Sequence, residues 1–168
     1  MAAIEAMNLS GTAMPLLYSG REAIENQVRE NLMLFEEGRV YHRRSEIHAT
    51  YGGQEQGGIS TPAKYPYIFL FSGDSGEQYG YRDRWIDTHT FQYFGEGQRG
   101  DMQLLRGNLA VATHVEKGKE IHLFRKVDKG RYRYEGRFEY VEHDFVERET
   151  DIEGRSRTAL VFTLRRVS

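Results

Sequence analysis

Residues 65–73, YPYIFLFSG, decide how this chain is read. Pro62 and Pro66 bracket a short connector, and the five side chains from Tyr67 to Phe71 are all large and apolar. A run that short, closed by Gly73, reads as a buried strand. Residues 88–97, THTFQYFGEG, form a second strand, with Phe91 and Tyr93 on one face and Gln92 and Phe94 on the other. Between the two lies the polar, aromatic loop DSGEQYGYRDRW (74–85). Downstream, EIHLFRKV (120–127), a DKG turn (128–130) and RYRYEGRFEYV (131–141) alternate as a two-stranded hairpin. SRTALVFTLRRV (156–167) is a last strand after an acidic stretch, 135–153. The segment 100–119 suits either a helix or a strand by its periodicity.

Upstream, residues 1–20 have no period and read as an arm. Ile24, Val28, Leu32 and Phe35 then recur at helical spacing, which predicts an amphipathic helix over 21–37, capped by Ser19 and closed by Gly38. Residues 40–168 are the β-rich core of what reads as a single domain, and its ending on a strand is compatible with a module of a longer protein. Composition agrees: 168 residues, 39% hydrophobic, 29% charged, 18 Gly and 12% aromatic. The net charge of −2 argues against indiscriminate nucleic-acid binding but not against a local basic face. No stretch is apolar for the length needed to span a bilayer. The loop GGQEQGG (52–58) sets two glycine pairs around Gln54, Glu55 and Gln56, a backbone able to approach a ligand closely.

Zero cysteines exclude thiolate catalysis and Cys-based zinc sites. The six histidines (42, 48, 89, 114, 122 and 143) form no HExxH or HxH pair and read as scattered loop residues. Asp83 with Asp87, and Asp74 with Glu77, are loop carboxylates whose separation in a cleft cannot be read from spacing. No GxSxG elbow or P-loop is present. The richest cluster is Tyr79, Tyr81, Trp85, Phe91, Tyr93 and Phe94 around Asp83. Two aromatics and an acid suit a flat heterocycle whose exocyclic amine the carboxylate accepts, the chemistry of reading cytosine. The same aromatics equally suit the core of a β domain.

Taken together, YIFLFSG, YGYRDRWIDTHTFQYFGEGQ (79–98) and MQLLRGNLAV (102–111) resemble the core of the SRA (SET- and RING-associated, or YDG) domain, from about Val40 to Phe124. The longer string RRSEIHATYGGQEQGGISTP (43–62) resembles the SRA-like modules attached to HNH nucleases in McrA-type, modification-dependent restriction enzymes. The resemblance implies an α+β fold: a β-rich, strongly curved or barrel-like sheet with helices packed outside, and a helix within 102–115. It implies a reader that flips a 5-methyl- or 5-hydroxymethylcytosine out of duplex DNA, without catalysis or cofactor.

By position, Tyr81 and Tyr93 become the stacking pair. Asp83 becomes the pocket acid by a one-residue shift, because a gapless overlay places Arg84 there, and Asp87 stands in reserve. Ser72, Gly73 and Gly80 line the pocket. The 52–58 loop enters the groove with Gln54 or Gln56 as probe. Arg43, Arg44, His48, Ser60, Lys64, Gln98, Arg99 and Arg106 complete the DNA-binding set. The second DNA-entering finger of the family is truncated, since only residues 98–101 separate the Gly-x-Gly turn from Met102. The expected partners are double-stranded DNA bearing modified cytosine and a fused or separate HNH nuclease domain, with no membrane. The expected location is a bacterial-type cytoplasm, on the nucleoid when bound. Two other readings remain: a small metal-dependent hydrolase or nuclease using Asp83, Asp87 and a histidine, and a protein-interaction module centred on Trp85 and Tyr79.

Overall fold

A computed structural model describes residues 20–22, 24–25, 35–73 and 83–167. The chain divides into two compact units, residues 1–35 and 36–168. In the first, 20–22, 24 and 25 are helical, and Arg21 Nε donates to Glu25 Oε1 at 3.0 Å one turn on. Ser19, Val28 and Leu32 lie outside the described residues. The helix expected to continue to Glu37 does not: Phe35 and Glu36 are already non-helical. The cause lies in their partners, because the Glu36 amide donates to the Tyr41 hydroxyl (2.8 Å) and the Gly38 amide to the Tyr134 carbonyl (2.8 Å).

The second unit is built on one mixed sheet. Its strands are β1 (Val40–His42), β2 (Ile59–Ser60), β3 (Tyr67–Ser72), β4 (Arg84–Trp85), β5 (Thr90–Phe94), β6 (Glu120–Asp128), β7 (Arg131–Thr150) and β8 (Ser156–Arg166). The order is β2-β3-β6-β7-β8-β5-β4, with β1 paired to the start of β7. Among the described residues only β3 and β6 run parallel. A π-helical turn (Arg43–His48) passing into one α-helical turn (Ala49–Tyr51), together α1, follows β1. The segment whose periodicity was ambiguous forms a helix, α2, over Arg106–Ala112.

Period-2 alternation selects the core. Ile68 and Leu70, Phe91 and Tyr93, Ile121 and Leu123, Leu160, Phe162 and Leu164 all face inward. The opposite face of β3 is buried too. Tyr67, Phe69 and Phe71 meet Tyr51 and His48 of α1, with Tyr51 and Phe69 rings 5.6 Å apart. Burial on both faces is why β3 reads as an unbroken apolar run.

The sheet is not closed, but it curls on itself with a large stagger. Ser72 lies opposite Arg133 of β7 through Arg125, whereas Phe94 lies opposite Asp144 through Val161. Those two positions on β7 are 144 − 133 = 11 residues apart, and four strand spacings of about 4.8 Å separate β3 from β5 in a flat sheet. Yet Asp83 hydrogen-bonds both Ser72 and Phe94. Only a tilted, barrel-like curl brings the two strand ends together.

Asn108 fixes α2 to the end of β5. Its side-chain oxygen accepts from the Glu96 amide (2.8 Å), and its nitrogen donates to the carbonyls of Glu96 (3.0 Å) and Gln103 (2.9 Å). Asn108→Ala strands these groups in a buried position and is expected to cost about 2–3 kcal/mol in urea unfolding, with an unchanged m-value.

Candidate nucleic-acid interface and base pocket

The curl leaves a cavity of about 290 Å3 where β3 and β5 end, roofed by the glycine loop and walled by the β6–β7 hairpin. Asp83 sits in it. One carboxylate oxygen accepts from the Ser72 hydroxyl (2.7 Å), the other from the Phe94 amide (2.8 Å). Burial pushes its pKa up to about 6, against the downward pull of those two hydrogen bonds and the charge of Arg125. Each oxygen keeps a further lone pair for a donor in the cavity.

Tyr93 forms part of the same wall, but its hydroxyl is committed. It donates to the Gly58 carbonyl at 2.6 Å and approaches that of Phe71 at 3.3 Å, while the Phe71 amide also donates to Gly58. A Cβ on Gly58 would overlap the Tyr93 hydroxyl, so this close approach requires glycine. Burial holds the phenol well above its ordinary pKa.

Arg43 and His48, both in the expected DNA-binding set, are buried and organise the loop from below. The Arg43 guanidinium lies 3.8 Å above the Phe71 ring and borders the cavity. Its Nε donates to His48 Nε2 (3.0 Å) and its Nη2 to the Gln54 carbonyl (3.1 Å). His48 Nδ1 lies 2.8 Å from the Gly52 carbonyl, which can only accept, so Nδ1 carries the proton and Nε2 is free to accept from Arg43. Burial lowers the His48 pKa, in keeping with this neutral tautomer, and Arg43 adds to the shift. Ser60 is likewise fully buried and presents nothing to a ligand surface.

The remaining expected residues separate as follows. Ser72 anchors Asp83, and Gly73 and Gln98 border the cavity. Tyr81 and Gly80 lie outside the described residues. Asp87 is not in the pocket: it caps its own turn, accepting from the His89 amide (2.8 Å) and the Thr90 hydroxyl (3.1 Å). Gln54 is turned back on the loop, its Oε1 accepting from the Thr61 amide at 2.7 Å, whereas Gln56 is exposed. Arg44 and Arg99 are exposed but paired with Glu55 (3.4 Å) and Glu153 (3.0 Å). Lys64 and Arg106 are exposed, and Arg106 shares with Gln54 and Gln56 a second hollow beyond the loop.

The short turn at 97–101 is clamped rather than extended. Asp151 accepts from the Gly100 amide (3.0 Å), and Arg157 donates to the carbonyls of Gly97 and Gly100. Among the described residues no three His, Asp or Glu side chains converge to hold a metal ion. Sequence reasoning grouped Phe94 with Asp83 but did not place Lys126 and Tyr132 in the cavity wall. The last two come from the β6–β7 hairpin, and nothing in its alternation signals that its tip reaches the end of β3.

A family model described as the ScoMcrA-like SRA domain matches residues 37–168. The chain belongs to the SRA family. No curated protein matches it. Among solved structures, it is similar to the sulfur-binding and SRA domains of ScoMcrA complexed with phosphorothioated DNA, at 26% identity and a TM-score of 0.64, over 80% of this chain and 40% of that one. The Type IV phosphorothioation-dependent restriction endonuclease ScoMcrA matches at 25% identity and a TM-score of 0.66, over 82% of this chain and 25% of that one. The chain thus spans less than half the length of either ScoMcrA chain. The SRA domain of SUVH5, in complex with hemimethylated CG DNA, matches at 25% identity and a TM-score of 0.58, over 79% and 89% of the two chains. SRA domains are DNA-reading modules, and two of these structures, the ScoMcrA two-domain fragment and the SUVH5 SRA domain, hold modified DNA. No helix of the described residues is long and apolar enough to cross a membrane.

The position of Asp83 in this SRA domain has a measurable consequence. Its folded pKa of about 6 stands above the ordinary 3.8, so between those values the folded state holds a proton that the unfolded chain has released. Stability therefore falls as pH rises through that window, and the loss is complete above it. Asp83→Asn keeps one acceptor for the Phe94 amide and one donor for Ser72, without the charge. Its advantage over the native protein in thermal or urea unfolding is expected to be near zero below pH 4, to grow up to pH 6, and to level off at no more than about 3 kcal/mol.

Proposed function

We propose that this SRA domain reads a modified cytosine, 5-methyl or 5-hydroxymethyl, by drawing the base out of duplex DNA into the cavity at Asp83. The observation that carries the reading is the Asp83 carboxylate itself, fixed between Ser72 and Phe94 in a recess, with acceptor capacity left over. An amine donor such as cytosine N4 satisfies that capacity. Stacking of about 1–3 kcal/mol per base offsets much of the few kcal/mol needed to unstack it. Tyr93 supplies one wall, with Tyr81 as its partner in the stack.

The glycine loop fills the vacated space. Of its two glutamines, Gln56 is the probe, because the Gln54 amide is occupied by Thr61. In this reading the domain itself performs no catalysis. It serves as the reader of a modification-dependent restriction system, with cleavage left to an HNH nuclease domain, fused or separate, and it works on DNA in a bacterial-type cytoplasm.

The test is a competition titration of short duplexes that differ at one cytosine: unmodified, 5-methyl and 5-hydroxymethyl, with a phosphorothioated duplex alongside. A modified base should be preferred, and Asp83→Asn should remove at least tenfold of that preference by opposing an amide N–H to the base amine. Equal binding to all duplexes, unchanged in the variant, would overturn the reading.

The pH dependence is a second check. Ionised Asp83 is the stronger acceptor for the amine, and about one-tenth of the free protein is ionised at pH 5 given a pKa of about 6. Affinity for the preferred duplex should be weaker at pH 5 than at pH 7.5, by up to about tenfold, and Asp83→Asn should flatten that difference.

A further inference from the structure

The β6–β7 hairpin carries a feature that the base pocket does not explain. Arg125 and Arg133 are directly paired across the strands, so their side chains leave the same face, and Arg131 joins them two residues earlier on β7, where its cross-strand neighbour is Asp128. Like charges set opposite each other destabilise a sheet, and such pairs are ordinarily relieved by a nearby acid. Here, among the described residues, none of the three has a carboxylate within ion-pairing distance. Arg44, Arg99, Arg137, Arg155 and Arg166 all have one.

Arg131 and Arg133 are exposed. The row begins at the pocket, since the Arg125 charge acts on Asp83. The same hairpin sends Lys126 and Tyr132 into the cavity wall. The concentration of positive charge is local: the whole chain has a net charge of −2.

We propose that the Arg125–Arg131–Arg133 face of this hairpin is a backbone clamp that binds phosphates of the duplex whose base enters the pocket. The proposal rests on the base-reading function above for its choice of partner, and supplies the contact that the paired Arg44 and Arg99 are poorly placed to give. Guanidiniums on a rigid ladder suit phosphate recognition, because the fork geometry is held before binding. Such contacts set affinity and register but carry no information about the base.

The experiment uses the full chain and measures binding to unmodified and 5-methylcytosine duplexes from 50 to 300 mM salt. Arg131→Ala/Arg133→Ala is expected to weaken both roughly tenfold, and to make the slope of log K against log salt shallower by about 2. The ratio between the two duplexes should stay as in the native protein. Lys117→Ala/Arg165→Ala removes the same charge from exposed positions near the opposite end of β6 and from β8, and should leave both affinities and slope nearly unchanged.

An unaltered slope in the hairpin variant would overturn the proposal, as would an equal effect in the control. Loss of the ratio between duplexes would also overturn it, by placing the hairpin in base readout. If the native protein shows no preference between duplexes, the base-reading function fails, and the slope still decides the clamp independently.

Discussion

The architecture depends on one half-buried carboxylate. Asp83 joins the end of β3 to the end of β5, two strands separated by three others in the sheet, and so sits where the curl comes closest to closing. Elevation of its pKa to about 6 measures how unfavourable that place is for a charge. Ser72 and the Phe94 amide lower the cost without removing it. A fold needing only a staple between two strand ends would be served as well by a neutral amide. An acid kept there at a cost to stability is the pattern expected where a group is retained for what it does to a ligand.

Around that acid the glycine loop is held by hydrogen bonds to its own carbonyls. His48 takes Gly52, Arg43 takes Gln54, and Tyr93 with Phe71 takes Gly58. Three of these four residues, Arg43, Tyr93 and Phe71 (the last a donor through its backbone amide), also border the cavity. Loop and pocket are therefore one mechanical unit, and a base pressing on the pocket wall presses on the residues that set the loop. Positive φ at Gly52, Gly53 and Gly57 lets the backbone turn its carbonyls inward towards these donors.

Local chemistry was legible wherever a pattern is itself local. The continuous apolar run of β3, the alternation of β5 and the DKG turn of the β6–β7 hairpin all declare themselves in the sequence. Asp83 could be singled out because aromatics crowd around it in the chain. What stayed hidden depends on long-range register. Arg43 and His48 look like surface cations beside a glycine loop, and only the packing of α1 on β3 turns them inward. Asp87, four residues from Asp83, stood in reserve, but its carboxylate is turned onto its own exposed turn and does not line the cavity. Lys126 and Tyr132 reach the cavity because the sheet curls with a stagger of eleven residues, a property of pairing that no single strand encodes.

Charge is distributed along the same geometry. Glu139, Glu142, Asp144, Glu147 and Glu149 lie along β7 beyond the point where it leaves β6, while its first residues carry Arg131 and Arg133. One strand thus runs from a cationic end beside the cavity-lining Tyr132 to an anionic stretch two strand positions from Phe94. A polyanion approaching such a surface is drawn to one end and repelled from the other, which orients it before any specific contact forms. Because these five acids outnumber the two arginines, the protein avoids the indiscriminate affinity of a uniformly basic surface. Discrimination can then rest on the recess at Asp83, where burial makes a single hydrogen bond count for more than it would in water.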